Sequence, residues 1–533
     1  MSKKNIQWIK LSLSGRLPRR RFLQGASALG ASAALSAGLP RVSWAASGST
    51  LKVRTYADMK SLDPAFSQGV ADELIQAPIY NKLIQYKPGR KWGWQLDAAT
   101  MIEQSDPTHI KFALRDDIGF SDGFGPMTAE DVKFSFERIV DPELKSTNKP
   151  DWGPLDHVEV SGEREGVIVL KKPFQPLWSI TLPYITGNIV SKKAVLKAGG
   201  RIGTKPVATS GPYRHKSWQA KQKTVLERNP NWKGTKPDFD EIRILPIDDE
   251  NTAEIAFEAG ELDFTRVSLG SLKRLKANPP AHSTVAEYPS LYYVWVGMNL
   301  DNPKLGNKKL RQAIQYAIDV PSILQAAYFG AAKPATGIIA PGLLGHRDKD
   351  PIPPKADFKH ARRLLAESGE KNVKLTLDVL NKQTNVTAAQ VIQATLKQIG
   401  IDLAINLHEA GEFWTLGEEK SGNRWKNIEL ILNRFSMTPD PYYATAWFTK
   451  AQVGIWNWER FRSDKFDSLV NQAMVESDPD KRAAMYRKAQ DLMEASGAYR
   501  FITHEATPVI YRDRIKPALR PDGLALLRYF KKA

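Results

Sequence analysis

The chain has 533 residues, 76 Lys and Arg against 58 Asp and Glu, a formal net charge of +18, and not one cysteine. This excludes disulfides, thiolate metal clusters, cysteine nucleophiles and a lipid anchor on an N-terminal cysteine. The basic residues are scattered, with no long Lys/Arg block, which argues against a nucleic-acid binder, whose charge gathers on one face or arm.

The first segment in chain order is 1–45, with eight basic residues and no acid. Arg19-Arg20-Arg21-Phe22-Leu23 is a twin-arginine export pattern. The small-residue run from Gly25 to Leu39 falls short of the roughly 20 strongly apolar residues that a membrane span needs. Ser43-Trp44-Ala45 puts small residues where a signal peptidase reads them. The expectation is export by the twin-arginine machinery, cleavage near Ala46, and a soluble periplasmic protein without a lipid anchor in a Gram-negative cell. The mature chain keeps 68 basic side chains against 58 acids, a net +10. Its length exceeds what one core usually supports, roughly 300 residues, so two or three lobes are expected.

Residues 95–205 read as a small α+β lobe inserted into a larger one. Ile110–Leu114 and Val167–Leu170 are its strands. Thr128 and Asp131 frame a capping box ahead of a helix bearing Val132, Phe134 and Phe136. Further on, alternation puts Tyr293 and Trp295 on one strand face and Tyr292 on the other. Leu310, Ala313, Ile314, Ala317 and Ile318 form a helical stripe; Ala361, Leu364 and Leu365 form another, closed by Gly369. Lys374–Leu380 alternates as a strand. Ala388, Val391, Ile392, Leu396 and Ile399 follow on one helical face, Gly400 caps it, and Ile401–Leu407 alternates again. Strand, helix and strand of this length make a βαβ unit with parallel pairing. Asp478-Pro479 opens a last helix with Ala483, Tyr486 and Ala489 turned inward.

Catalytic patterns are poor. There is no G-x-S-x-G and no H-E-x-x-H; His408-Glu409 and His504-Glu505 each lack the second His. No catalytic set, metal site or cofactor is expected.

Five stretches, in order, resemble the family 5 extracellular solute-binding proteins, the oligopeptide, dipeptide and nickel type that feed ABC importers. The first is Leu62-Asp63-Pro64 with Ile79-Tyr80-Asn81-Lys82-Leu83. The second is Phe112–Arg115, Phe120-Ser121-Asp122-Gly123 and Met127–Phe134. The third is Ser210-Gly211-Pro212-Tyr213, Leu226–Trp232 and Ala259–Asp263. Met298-Asn299 with Leu310–Asp319 is the fourth; Phe466–Leu469, the helix after Asp478 and the strand around Pro508–Tyr511 complete the set. The resemblance implies an α/β, periplasmic binding protein type II-like fold: two large lobes joined by a two-strand hinge, plus a smaller inserted α+β domain. Domain I would comprise 46–94, 207–296 and 503–533, domain II 95–206, and domain III 297–502, with hinge strands near 296 and 503. Ligand would lie between domains I and III and be handed to an inner-membrane ABC permease by a monomer.

The sharpest candidate site follows the strand Glu429–Leu432, since ligands in parallel α/β sheets sit beyond the carboxyl ends of strands. It offers Asn433, Arg434, Phe435 and Asp440. Arg434 is a fork of donors suited to a carboxylate; Asp440 serves a ligand or shapes the turn before Pro441. Peptide-binding members carry an acid near this bend for the ligand's amino group; here that place falls on Met437 or Ser436. Tyr293, Trp295, Trp456 and Trp458 offer aromatic faces or core packing. Asn299, Asn457, Ser210 and Gly211 offer amide and backbone hydrogen bonds. A short peptide is the default solute. The alternatives are an opine, sugar conjugate or oligosaccharide, and, in other classes, an exported hydrolase or a periplasmic peptide-binding chaperone.

Overall fold

The computed structural model of the protein describes residues 49–67 and 69–533, so the export pattern in 1–45 lies outside the described residues. Three sheets organise the chain. The largest has seven strands in the order Tyr213–Gln219, Lys223–Arg228, Glu241–Pro246, Thr50–Thr55, Phe264–Arg266, Ala506–Arg512 and Ser283–Pro289. A four-stranded antiparallel sheet runs Ala99–Asp106, His109–Leu114, Glu165–Leu170, Leu155–Val160. The third has five strands: Asp402–His408, Lys374–Leu380, Leu430–Ser436, Tyr292–Met298 and Tyr499–Thr503.

The expected βαβ unit forms. Lys374–Leu380 and Asp402–His408 pair in parallel, the helix between them spans Gln383–Lys397, and Gly400 takes φ 85°. A residue with a Cβ would resist that left-handed turn. In the inserted lobe, the helix Ala129–Val140 is anchored as expected: the Asp131 carboxylate accepts the Thr128 N–H at 2.9 Å. Its Val132 and Phe136 are buried. The Leu310 stripe forms the helix Lys308–Ala317, which stops one residue before Ile318, although Ile318 is itself buried. Asp478 caps the helix Pro479–Ala495 by accepting from Asp480 N and Lys481 N.

The chain passes between the two large sheets twice. It leaves the seven-stranded sheet at Pro289 and enters the five-stranded one at Tyr292; it returns between Thr503 and Ala506. Within each sheet the two crossing segments lie side by side or nearly so: Ser283–Pro289 pairs with Ala506–Arg512, and Tyr292–Met298 pairs with Tyr499–Thr503. This is a two-strand hinge. Its first crossing falls about six residues before the expected position near 296. Sequence alternation locates a strand but not the sheet to which it belongs, because both crossing strands are apolar enough for either.

In the five-stranded sheet, Val294, Val296 and Met298 face one apolar cluster with the Lys308–Ala317 and Gln383–Lys397 helices. Tyr293 and Trp295 face a second cluster, made with Phe448, Phe461, Tyr486 and Tyr499. No helix among the described residues is long and apolar enough to cross a membrane.

Candidate functional site

Five of the twelve candidates, Tyr293, Trp295, Asn433, Phe435 and Trp456, converge on one face of the five-stranded sheet. Residues opposite each other in a ladder share a face. Trp295 pairs with Asn433 and Tyr293 with Phe435, so these four point together. Phe435 stands edge-on to Trp295 at 4.9 Å, to Tyr293 at 6.1 Å and to Trp456 at 5.7 Å. Trp414 lies 6.1 Å from Phe435, and Trp447 is 6.0 Å from Trp456. Phe435, Trp456, Trp414 and Trp447 are all half-buried. They form a patch of half-buried rings on the lobe of the five-stranded sheet. Trp92, from the other large lobe, packs against the same cluster. Trp414, Trp447 and Trp92 were not among the sequence candidates; lone tryptophans in loops carry no periodic signal.

Asn433 is 1 % exposed, and neither its amide nitrogen nor its amide oxygen meets a hydrogen-bond partner among the described residues. A buried amide normally finds partners, and leaving one unpaired costs about 1–3 kcal/mol. The group lies on the sheet face of Trp295 and Phe435 with a donor and an acceptor unused.

Beneath the rings lies Glu459, which is fully enclosed. Its Oε1 accepts the Trp295 indole N–H at 2.7 Å, and its side chain lies against Gly297, where an added Cβ would come within 2.0 Å of Oε1. Burial pushes the Glu459 carboxyl up to about 7, against a smaller opposing effect of the Trp295 hydrogen bond. Burial, then the Glu459 charge, holds the Tyr293 and Tyr499 phenols well above their ordinary range.

The other candidates are committed elsewhere. Arg434 pairs with Val294 in the ladder and so points to the opposite sheet face from Asn433 and Phe435. Its Nε and Nη2 donate to the two Glu505 oxygens at 2.7 and 2.8 Å, and the guanidinium stacks 3.5 Å above Tyr292. Burial opposes its charge, but Glu505 outweighs burial and holds the guanidinium above its usual value. Glu505 lies in the second crossing with φ 61°, so the ion pair belongs to the hinge. Asp440 accepts from Tyr442 N and Ser179 Oγ and pairs with Arg482 at 2.8 Å; it caps a helix and ties the inserted lobe to the third. Asn299 gives its amide to the carbonyls of Trp425 and Ile428 at the far end of its strand from the hinge. Asn457 donates to Phe448, Thr449 and Phe461 carbonyls, holding its loop together. Trp458 is buried beside Gly417, where a Cβ would lie 2.1 Å from its ring. Ser210 Oγ accepts Asn81 N–H, and Gly211 abuts the Pro78 carbonyl, seating the end of the helix Val70–Ile79. Met437 is buried at the bend, with its N–H bonded to Leu291 O. Among the described residues no group of three or more His, Asp or Glu is placed to hold a metal.

Two large sheets joined by a hinge of two strands, one of them bearing a cluster of rings, have the geometry of a clamp-like binding protein. Residues 94–454 match the family profile of bacterial extracellular solute-binding proteins, family 5, middle region. The chain belongs to that family. Among its family 5 relatives, the probable D,D-dipeptide-binding periplasmic protein DdpA of Escherichia coli (strain K12) is 27 % identical over 469 residues, covering 85 % of this chain and 88 % of the relative. The glutathione-binding protein GsiB of Pectobacterium atrosepticum is 26 % identical over 475 residues, covering 87 % and 89 %. The structure of HbpA2 from Haemophilus parasuis superposes with a TM-score of 0.79 at 24 % identity, covering 91 % of this chain and all of that one. The fold shared with that protein therefore spans both large lobes and the inserted one.

Proposed function

We propose that this protein captures a short peptide or peptide-like solute between its two large lobes in the periplasm and passes it to an inner-membrane ABC permease. Twin-arginine export, the absence of a lipid anchor, a monomeric state and the absence of turnover belong to the same reading. The observation that carries it is the unpartnered Asn433 amide on the sheet face that bears the patch of half-buried rings. A peptide group offers one acceptor and one donor, which complements an amide of this kind. The rings of Phe435, Trp456, Trp414 and Trp447 supply apolar faces for side chains. The relatives named for D,D-dipeptides and glutathione place peptides and peptide conjugates first among solutes.

A second reading is an opine or sugar conjugate. It rests on the bend at Ser436 and Met437, neither of them acidic, where the family resemblance implies an acid in peptide-binding members; Met437 is buried.

A thermal-shift screen separates the two. Ligand at 100 times its Kd should add about 2.7 kcal/mol of stability. Dipeptide pools, D,D-dipeptides and glutathione are expected to raise the melting temperature. If only opines or glycosides do so, the peptide reading fails. Asn433→Leu provides the residue-level test. Removing an unpaired buried amide should leave the free protein as stable or up to about 1 kcal/mol more stable, while solute affinity falls at least tenfold. A destabilised variant with unchanged affinity would make Asn433 structural.

A further inference from the structure

A groove of about 340 Å³ opens on the lobe of the seven-stranded sheet, lined by Arg90, Tyr288, Lys516, Tyr529 and Lys531 among others. Three of these are cations, and no carboxylate lines the groove. Arg90 lies on the turn between the strands Ile84–Tyr86 and Trp94–Leu96. Its guanidinium is held 3.6 Å over the Tyr288 ring, and one Nη donates to the Glu287 carbonyl at 2.7 Å. The Glu287 carboxylate is drawn away to Lys276, at 2.6 Å, so the nearest acid does not neutralise Arg90.

Lys516 and Lys531 face each other directly in the short antiparallel ribbon near the C-terminus. Like charges opposite each other in a ladder are destabilising. Among the described residues neither ammonium has an ion-pair or hydrogen-bond partner, unlike the nearby Arg514, which pairs with Asp263 at 2.6 Å. The ribbon therefore keeps two facing charges that an anion between them would reconcile. Tyr288 and Tyr529 add ring walls. The volume lies in the range of small-molecule sites, about 300–1,000 Å³, and exceeds what a bare inorganic ion fills.

We propose that this groove is an oxyanion-binding site for a small molecule bearing carboxylate or phosphate groups, separate from the aromatic patch around Phe435. No residue of the five-stranded-sheet lobe lines it, so it can fill in either position of the hinge. The same chemistry is offered by a free solute or by an anionic lipid headgroup.

Citrate and inorganic phosphate, titrated calorimetrically into the purified protein at low ionic strength, test the site. Both are expected to bind, with affinity falling as salt rises. Lys516→Gln/Lys531→Gln is expected to weaken citrate at least tenfold, and Arg90→Gln to weaken it severalfold. The double variant should melt no lower than the parent in citrate-free buffer, because it loses a like-charge contact; this keeps a binding loss from being mistaken for misfolding. Its binding to any solute found in the thermal-shift screen should be unchanged, so failure of the groove and failure of the proposed solute site are distinguishable. Co-sedimentation with phosphatidylglycerol vesicles that citrate displaces would assign a lipid headgroup; citrate binding without sedimentation would assign a free solute. Citrate affinity equal in parent and double variant, or no binding at low salt, overturns the proposal.

Discussion

Glu459 shows how one buried side chain fixes a ring of the aromatic cluster. It is enclosed, donates nothing when ionised, and still holds the Trp295 indole in place. Its pKa is raised by burial from 4.5 to about 7. A carboxyl with a raised folded pKa binds more protons folded than unfolded between those values, so its contribution is fully present below about 4.5 and is lost as pH rises through about 7. Glu459→Gln keeps an acceptor for Trp295 and removes the charge. The variant should therefore gain stability over the parent as pH goes from 5 to 8, by up to about 3 kcal/mol, since each pKa unit is worth about 1.4 kcal/mol. Denaturation curves at the two pH values check this; a gap that does not widen would mean that Glu459 stays ionised in the fold. His504, in the hinge, works in the opposite direction. Burial lowers it to about 4, so its contribution is present above about 6.5 and is lost as pH falls towards 4. Comparing parent with variant isolates Glu459 from that background.

Among the elements, the strand Leu430–Ser436 carries both faces of the argument. Asn433 and Phe435 lie on the face of Tyr293 and Trp295, while Arg434 turns to the other face and pairs with Glu505 of the hinge. The Arg434–Glu505 pair holds a non-glycine residue at φ 61° in the crossing, a conformation that costs roughly 1–2 kcal/mol. Arg434→Ala should therefore destabilise the protein by about 2 kcal/mol, the scale of a hydrogen bond to a charged group. Arg434→Ala/Glu505→Ala should recover part of that loss in a double-mutant cycle. Additive losses would show that the two residues do not interact. The sequence reading ends this strand at Leu432 and puts Asn433, Arg434 and Phe435 together beyond it; the strand runs on to Ser436, so pleating sends Arg434 to the other face, towards a partner 71 residues away.

At the scale of the whole molecule, buried ion pairs and shared cores bind the lobes to one another. Asp63, in the Leu-Asp-Pro stretch, is completely buried and takes Arg138 of the inserted lobe in a two-point pair at 2.7 and 3.0 Å. Asp63→Ala would leave the Arg138 charge enclosed without its carboxylate, a change that typically costs about 3–5 kcal/mol. Urea unfolding should show that loss. A cost under about 1 kcal/mol would mean that the lobes dock without the pair. The inserted lobe also reaches the third lobe through Ser179 Oγ on Asp440 at 2.7 Å and Gln175 N on Met474 O at 2.9 Å. Asp440 thus acts as a strut between lobes, a role that a turn Asp-Pro pair in a sequence does not announce.

The sequence by itself determined the local elements: the βαβ unit from 374 to 408, the capped helices after Thr128 and Asp478, and the pairing of Tyr293 with Trp295 on one face. These follow from periods of 2.0 and 3.6 residues and from capping chemistry, which act over a few residues. Only the tertiary structure decided which polar side chains are spent and which are spare. Asn299, Asn457, Asp440 and Arg434 are consumed by partners that lie close by in some cases and on distant segments in others, whereas Asn433 is left unpaired. Hydrogen-bond satisfaction depends on every group that comes within about 3 Å in space, and spacing along the chain does not encode that distance.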